Sequence, residues 1–519
     1  MSVLKKTFKG NLRQYSMLIA LVAIVLLLQI TTKGNLLRPM NVSNIVFQNA
    51  YVVILAVGML ICILTGGNID LSVGSVLAMV MACASFARKA WAIDPYIMIL
   101  GCLGIGILIG AWQGYWISYV GIPPFIVTLA GMLLFRGLTL IILNGETYNG
   151  FPKEFTGLFS GYIPDYFGGI TVSGIKYNAT ALLVGLLVAV VFCAFSLLGR
   201  ISRRKKGYEV GSAFVLLGKL AIVSAALVWF FGAMAQHRGV PTVLISMGIV
   251  LLAYSYLTGS TVIGRHLYAM GGNAKAAWLS GVNTKRLLFL AYTNMGFLTA
   301  VAGLICAARF DSAFPLAGQN YELDAIAACY IGGASASGGI GTVGGALIGA
   351  LIMGTLNNGM IIMGVNQNLQ QVVKGLVLLA AVAFDVISKN RYGFETAARF
   401  ASWVKELIVP GMREKPIRTR LAGWIFTAAG VVFLLFGIYG FARFPAANLP
   451  GGLLMLAADA KYALVEGITI TTAQAFEAVV IQHRILLTVL GSICTAAGVL
   501  LRLRRVPVRY ASNEQNVKG

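Results

Sequence analysis

Several apolar runs in this chain are long enough, or nearly long enough, to cross a lipid bilayer as helices. The clearest runs are residues 17–30, 179–198, 213–231, 421–441 and 485–501. About 17 to 25 residues span the hydrocarbon core as a helix, whereas barrel strands read as alternating segments of about ten residues. Only 11% of the 519 residues are charged and the mean hydropathy is +0.83, while a soluble domain has about 25% charged residues. The sequence therefore predicts an all-α integral membrane protein.

The net charge of +23 comes mainly from a few basic stretches between the apolar runs. Of 40 lysines and arginines, 26 lie in residues 1–16, 199–210, 259–286, 388–420 and 501–519. Basic loops of membrane proteins stay on the cytoplasmic side, so the N-terminus and the C-terminus are both predicted to be cytoplasmic. The charge therefore indicates topology and contact with the lipid bilayer, not nucleic-acid binding. The first apolar run has no small-x-small cleavage site after it, so we expect a retained anchor.

Threading helices between these stretches predicts a polytopic bundle of about twelve membrane segments within a transmembrane domain, residues 1–390. The predicted segments are 17–30, 44–64, 72–87, 97–118, 124–143, 178–198, 212–232, 241–258, 287–307, 323–337, 341–363 and 370–387. Several of them are short, which predicts broken helices. A basic cytoplasmic linker, 391–420, then leads to a C-terminal extension of unknown role, 421–519, with two appended spans.

The first predicted break is the stretch GGNIDLSVGS, residues 66–75. A carboxylate at membrane depth costs about 2.5 to 3.5 kcal/mol or more unless it faces water or protein. A helix is therefore predicted to end here, with Asp70 or Ser72 capping the next one. Two interpretations remain open, namely a short cytoplasmic turn and a half-helix end that lines a solute path.

The second predicted break lies in YELDAIAACYIGGASASGGIGTVGGALIGA, residues 321–350. Gly341, Gly345 and Gly349 recur every four residues, so one helix face is almost bare backbone and a neighbouring helix can approach closely. Plain helix packing explains this pattern. Paired broken segments in the two halves of a chain are also typical of a solute path near the middle of the membrane.

Several chemistries have no support in the sequence. It contains no GxxxxGK[ST] phosphate loop, so the chain is not expected to bind ATP through that motif. The three histidines, His237, His266 and His483, lack metal-ligand spacing, and no catalytic residue is predicted. Most acidic residues lie at predicted helix ends or in loops, so no buried relay for protons or sodium is expected.

One predicted cytoplasmic segment, residues 264–287, mixes apolar and small residues between basic ends. Ala276, Ala277 and Ser280 share a helical face, which predicts a short amphipathic helix between Asn273 and Gly281. Such a helix fits a groove in a partner protein. The other interpretation is a helix that rests on the bilayer surface.

Five stretches of this chain resemble the permease subunits of bacterial ABC importers for monosaccharides, the ribose, xylose and galactose branch. They are TGGNIDLSVGSVLAM, GIPPFIVTLAGMLLFRGLTLIILNG, GRHLYAMGGNAKAAWLSGVNTKR, YELDAIAACYIGGASASGGIGTVGGALIGALIMGTLNNGM and GVNQNLQQVVKGLVLLAAVAFDV. Together they cover most of residues 40–390, and the second and third are most similar to xylose and multiple-monosaccharide members. The roughly 130 residues after position 390 have no counterpart in the usual family pattern.

The resemblance implies a function and a set of partners. The chain would be the permease of an ATP-driven importer in the cell inner membrane, would carry no cofactor itself, and would leave ATP and Mg²⁺ to a separate ATPase subunit. A periplasmic or extracellular sugar-binding protein and a second copy of the permease would complete the assembly. The coupling helix that docks on the ATPase would comprise Gly271, Gly272, Asn273, Ala276, Ala277, Ser280, Gly281 and Val282.

A neutral sugar needs hydroxyl, amide and backbone groups along its path. The candidate lining residues share these groups and are Asn68, Asp70, Ser72, Ser335, Ser337, Asn357 and Asn358. The aromatic-rich loop 145–177 either receives the binding protein or forms an interfacial aromatic belt. The alternative function is an ion-coupled secondary sugar transporter, which would need an internal ion site.

Overall fold

The computed structural model describes residues 12–172, 174–208 and 213–389. The chain divides into two units, Met1–Val386 and Ile387–Gly519. Apart from the last three residues of the final helix, every element below belongs to the first unit. The predicted linker 391–420 and the predicted extension 421–519 lie outside the described residues.

The first half of the described chain consists of long helices joined by short loops, followed by a longer connection. Its helices are α1 (Leu12–Thr31), α2 (Pro39–Leu64), α3 (Val73–Trp91), α4 (Pro95–Tyr115), α5 (Pro124–Leu143), α6 (Lys153–Ser160), α7 (Ala179–Lys205) and α8 (Ala213–His237). A π-helical turn, Trp116–Val120, continues α4, and the strands β1 (Tyr148–Asn149), β2 (Ile170–Val172) and β3 (Ile175–Tyr177) lie in the connection between α5 and α7.

The second half contains shorter elements among its long helices. These are α9 (Val243–Ser260), α10 (Val262–Gly272), α11 (Ala274–Leu279), α12 (Thr284–Phe310), β4 (Ser312–Ala313), α13 (Tyr321–Ile331), α14 (Val343–Ile362) and α15 (Gln367–Lys389). Nine helices within the described ranges are long and apolar enough to cross a membrane. The predicted polytopic helical fold is therefore confirmed, while the predicted number of about twelve segments stays a prediction.

Helix α2 forms the centre of the bundle. Every residue from Ala50 to Leu64 is buried, and α2 packs against α12, α13 and α14. A helix that is apolar on all sides has to be surrounded by other helices, so the sequence of α2 dictates its central position.

Small residues allow the helices around α2 to approach one another. A Cβ atom added at Gly296 of α12 would lie 2.2 Å from the carbonyl oxygen of Gly106, and one added at Gly110 would lie 2.5 Å from that of Tyr292. Lipid tails are as apolar as leucine, so van der Waals contact between close backbones stabilises such a bundle more than apolar burial does. Gly345 and Gly349 of α14 lie in the same kind of contact with the carbonyl oxygens of Gly332 and Ala328 on the α13 side.

The connection between α5 and α7 folds onto one end of the bundle. Strand β1 pairs with β4 in antiparallel fashion, with Tyr148 opposite Ala313. Phe155 of α6 is fully buried, whereas Tyr166 and Phe167 are 74% and 71% exposed. The aromatic residues of this loop therefore divide into core residues and exposed residues.

Candidate functional site

The first predicted break is a loop, residues 65–72, between α2 and α3, and we call it the first loop. Its buried Asp70 accepts hydrogen bonds from the backbone nitrogen of Ser72 at 2.8 Å and from Oγ of Ser72 at 2.6 Å. Oγ of Ser72 in turn accepts a hydrogen bond from Nε2 of Gln113 at 2.8 Å. The predicted cap is not found, because α3 starts after Ser72 without a side-chain cap hydrogen bond and the carboxylate of Asp70 bonds Ser72 itself. These hydrogen bonds instead satisfy a carboxylate inside the protein.

The second predicted break is a loop, residues 332–342, between α13 and α14, and we call it the second loop. Buried Ser335 and exposed Ser337 lie with their hydroxyl oxygens 2.8 Å apart. Gly341 belongs to this loop and not to the helix, since α14 begins at Val343. The glycine spacing predicts a helix from residue 341, but Gly341 has a φ of +154°, which only glycine adopts readily and which no helical residue has.

The two loops lie directly against each other. Gly67 has a φ of +77°, and a Cβ atom added there would lie only 2.0 Å from the carbonyl oxygen of Ala336. Across the same contact, a Cβ atom at Gly338 would lie 2.5 Å from Cα of Gly66. The backbone nitrogen of Gly339 also donates to the carbonyl oxygen of Leu64 at 3.3 Å. The glycines of both predicted breaks therefore serve one contact, which the separate motifs did not reveal.

The third predicted element, residues 264–287, is found as most of α10, all of α11, the turn after it and the start of α12. We call residues 262–283, which comprise α10, α11 and the following turn, the α10–α11 segment. A Cβ atom at Gly271 would lie 2.0 Å from the carbonyl oxygen of Leu64 and 2.3 Å from the nitrogen of Gly339. The segment therefore touches the second loop and the end of α2, from which the first loop starts. All three sequence-predicted features meet at one end of α2.

Helix α11 forms where the sequence predicts it. The side chain of Asn273 accepts a hydrogen bond from the nitrogen of Ala276 at 3.0 Å and caps its start, and the nitrogen of Val282 bonds the carbonyl oxygen of Ala277 at 3.0 Å at its end. Gly272, Lys275 and Gly281 are exposed.

The predicted outward face of α11 needs a correction. Ala276 and Ser280 are exposed, but Ala277 is only 5% exposed and belongs to the core of this chain, as does Val282. The apolar side chains that point away are Trp278 and Leu279, 62% and 71% exposed. Because α11 has only six residues, helical spacing alone could not tell which side its own bundle covers.

The structure does not gather every candidate lining residue in one place. Asn68, Asp70, Ser72, Ser335 and Ser337 all lie on the two loops. Asn358 instead bonds Asn41 and Gln48, near the start of α2, through Nδ2 contacts of 3.1 and 3.0 Å, and Asn357 is its neighbour in α14. At about 1.5 Å of rise per residue, some 30 Å of α2 separates this amide cluster from the two loops. The candidate residues therefore form two groups at opposite ends of one helix.

A set of buried charges was missed in the sequence. Asp324 in the first turn of α13 is fully buried, and the ammonium group of Lys374 lies 3.0 Å from both of its oxygens. The hydroxyl of Tyr51 donates to the same carboxylate at 3.3 Å, and its ring stacks on that of Tyr321 with centroids 4.0 Å apart. Asp70 in a loop and Asp324 at a helix end lie where acidic residues are expected along the chain, but both are buried, and the burial of Asp324 was not predicted.

The charges were missed because loop positions in the sequence were equated with surface positions. Residues 314–320 run into the bundle before α13 begins, and a Cβ atom at Gly318 would lie 2.1 Å from the carbonyl oxygen of Gly74. Nη1 of Arg136 holds this stretch by donating to the carbonyl oxygens of Pro315 and Ala317 at 3.0 and 2.6 Å. Within the described ranges, no group of three or more metal-ligand side chains occurs.

This architecture defines a class of membrane protein: a polytopic helical bundle whose broken helices meet inside it, as in solute permeases. The chain belongs to the family described as the branched-chain amino acid transport system / permease component, whose model matches residues 41–382. The matched region contains both loops and the α10–α11 segment. As a permease component of a transport system, the chain is a multi-pass membrane protein and not itself a catalytic enzyme.

Curated relatives extend this match. The chain is 38% identical over 382 residues to the xylose transport system permease protein XylH of Escherichia coli (strain K12), covering 73% of this chain and 93% of the relative. It is 35% identical over 378 residues to the ribose import permease protein RbsC of the same organism, covering 73% and 95%. The RbsC of Bacillus subtilis (strain 168) is also 35% identical, covering 73% and 94%. No solved structure matches the chain.

Proposed function

We propose that this chain is the transmembrane permease of an ATP-driven importer that moves a monosaccharide, such as xylose, galactose or glucose, across the inner membrane. The proposal rests on one observation above all: XylH and RbsC, which align with this chain over 93% and 95% of their own length, are xylose and ribose permeases. The two loops offer hydroxyl, amide and backbone groups, notably on Asn68, Ser335 and Ser337. Such groups suit a neutral polyol, and they suit a carrier that must release its cargo as readily as it accepts it.

The energy for transport is proposed to come from ATP hydrolysed on a separate ATPase subunit. The sequence lacks the phosphate loop that cradles ATP, so ATP and Mg²⁺ are assigned to that partner. The α10–α11 segment is the proposed contact with it, because α11 presents Trp278 and Leu279 away from the bundle. Exposed tryptophan is typical of the anchors that dominate protein interfaces.

Two more partners complete the proposed assembly. A periplasmic sugar-binding protein is assigned to the loop between α5 and α7, where Tyr166 and Phe167 are exposed. A second copy of the chain is proposed as the other half of the pore. The N-terminus, the C-terminus and the α10–α11 segment are assigned to the cytoplasm, because the basic stretches of the sequence favour that side.

Reconstitution tests this function. The permease is placed in liposomes with its ATPase subunit inside and sugar-binding protein outside, and uptake of labelled xylose, galactose and glucose is measured with and without internal ATP. We expect concentrative uptake of at least one of these sugars only with ATP. Accumulation driven by a proton or sodium gradient without the ATPase would favour the ion-coupled alternative.

Cysteine labelling tests the orientation. A single cysteine at Lys275 on the exposed side of α11 should resist an impermeant thiol reagent in intact cells and react after the membrane is opened. Labelling from outside the intact cell would reverse the proposed topology.

A further inference from the structure

Two tyrosine hydroxyls connect the helices on either side of α11 to the two loops. Tyr268 on α10 donates from Oη to the carbonyl oxygen of Gly341 at 2.8 Å, in the second loop. Tyr292 on α12 donates from Oη to the carbonyl oxygen of Ile69 at 3.3 Å, in the first loop. The helix before α11 thus bonds one loop, and the helix after it bonds the other.

Several glycines at this junction make close contacts of backbone against backbone. Gly271 packs on Leu64 and Gly339, and Gly67 packs on Ala336, with no room for a Cβ atom on either glycine. Contact of this kind resists compression, because overlapping atoms repel steeply, but it offers little resistance when the surfaces slide or separate. A hydrogen bond, by contrast, is directional and weakens when its partners move apart or tilt.

We propose that Tyr268 and Tyr292 are positioning residues that make the second loop follow α10 and the first loop follow α12, the helices on either side of α11, in both directions when the ATPase partner moves. This inference rests on the proposed function, since it requires an ATPase that acts on α11. The glycine contacts transmit a push toward the loops, and the two hydroxyls transmit the return pull. Without the hydroxyls, ATP hydrolysis continues but fewer cycles move sugar.

Phenylalanine is the substitution that isolates this role. It keeps the ring and therefore the packing of Tyr292, which is fully buried, and of Tyr268, which is half-buried. Each substitution removes the hydroxyl and its hydrogen bond to the loop carbonyl, and Tyr268→Phe also removes a hydrogen bond with Thr258 of α9. A purely structural role would lower stability without changing the ratio of sugar transported to ATP hydrolysed.

The experiment measures this ratio in liposomes that contain the full complex with Tyr268→Phe, Tyr292→Phe or both. Loss of one neutral hydrogen bond corresponds to about a two- to tenfold change in an equilibrium, so we expect each single variant to lower the ratio by about that factor. The double variant should lower it further, and ATP hydrolysis should remain near the wild-type rate. If Tyr292→Phe does not fold, the partly exposed Tyr268 still gives a decisive variant.

Tyr254→Phe is the matched control. Like the other two, its hydroxyl donates a hydrogen bond, but the acceptor is the side-chain oxygen of Asn294 on α12 and not a carbonyl oxygen of either loop. The ratio should stay at the wild-type value in this variant. A wild-type ratio in the Tyr268→Phe/Tyr292→Phe protein, or an equal fall in Tyr254→Phe, would overturn the inference alone. A wild-type complex without ATP-driven uptake would instead overturn the proposed function.

Discussion

An ion pair between Lys374 and Asp324 joins α15 to α13. The carboxylate is fully buried and the lysine side chain is 23% exposed, so the pair is largely shielded from solvent. Removing one member of a buried pair leaves an unpaired charge and costs about 3 to 5 kcal/mol, whereas replacing both with neutral groups costs much less. We therefore expect Lys374→Met to lower the unfolding temperature in detergent strongly, and Asp324→Asn/Lys374→Met to restore most of the loss. Equal destabilisation in both proteins would show that the pair does not act as one buried unit.

Gly271 and Gly272 offer a second comparison between single residues. A Cβ atom at Gly271 would lie 2.0 Å from the carbonyl oxygen of Leu64, while one at Gly272 would meet nothing within 4 Å. Because the obstruction at Gly271 is backbone, it cannot be relieved by turning a side chain. Gly271→Ala should therefore lower both the yield of folded permease and its unfolding temperature, while Gly272→Ala should behave as wild type. Similar stability of the two variants would contradict the close contact between the α10–α11 segment and α2.

The sequence predicted least about the contacts and burial of single residues. The glycines at 66, 67 and 338 mark breaks in the chain, and the need for a loop there follows from their residue type. That Gly271 packs on the end of α2 and on the second loop depends on how distant elements pack, and no local pattern carries this. Asp324 lies next to an apolar run and looks like a helix-end residue. Its burial becomes visible only once residues 314–320 are seen to enter the bundle.

At the scale of elements, the outward side and the buried side of α11 can be substituted separately to test the proposed ATPase contact. Truncation of an interface tryptophan often costs 2 kcal/mol or more, so Trp278→Ala/Leu279→Ala should weaken binding of the ATPase by about tenfold or more. The folded permease should keep its wild-type unfolding temperature, because both side chains point away from the core. Exposed Lys275→Ala is the control and should bind normally. If α11 instead rests on the bilayer, all three substitutions should leave ATPase binding unchanged.

Ala277 should behave in the opposite way. Its side chain is buried in the permease core, so Ala277→Trp inserts a large ring where there is no space, which costs about 1 to 3 kcal/mol or more. We expect a lower unfolding temperature of the isolated permease, without any partner present. A stable Ala277→Trp protein that fails only in ATPase binding would return Ala277 to the outward face.

The long helices were predictable because their apolar runs alone require them. Helix α2 was predicted at 44–64 and is found at Pro39–Leu64, and α12 was predicted at 287–307 and is found at Thr284–Phe310. The differences lie at the ends, where Pro39 and the capping residue Asn283 start their helices outside the apolar run. Helix α13 is only eleven residues long, since its glycine-rich continuation forms the second loop. Hydropathy alone does not distinguish a helix from a loop in such an apolar, glycine-rich stretch.

At the scale of the whole molecule, the sequence separates a family domain from an additional C-terminal part. The family match ends at residue 382, and the relatives are covered over 93% and 95% of their own length by 73% of this chain. Within the described residues, the last helix, α15, is joined to α13 through Lys374. Residues 391–519 are therefore expected to be dispensable for the basic transport cycle.

Two truncated proteins test this expectation, and the shorter one serves as the control. A protein ending at residue 390 keeps α15 and its ion pair with Asp324, so it should insert, bind the ATPase and support ATP-driven sugar uptake like the full chain. A protein ending at residue 365 lacks Lys374 and leaves the buried carboxylate unpaired, which costs about 3 to 5 kcal/mol, so it should be unstable and inactive. Uptake in liposomes and unfolding temperature in detergent report the two effects separately. Loss of uptake in a stable protein ending at residue 390 would assign residues 391–519 a direct part in transport or assembly.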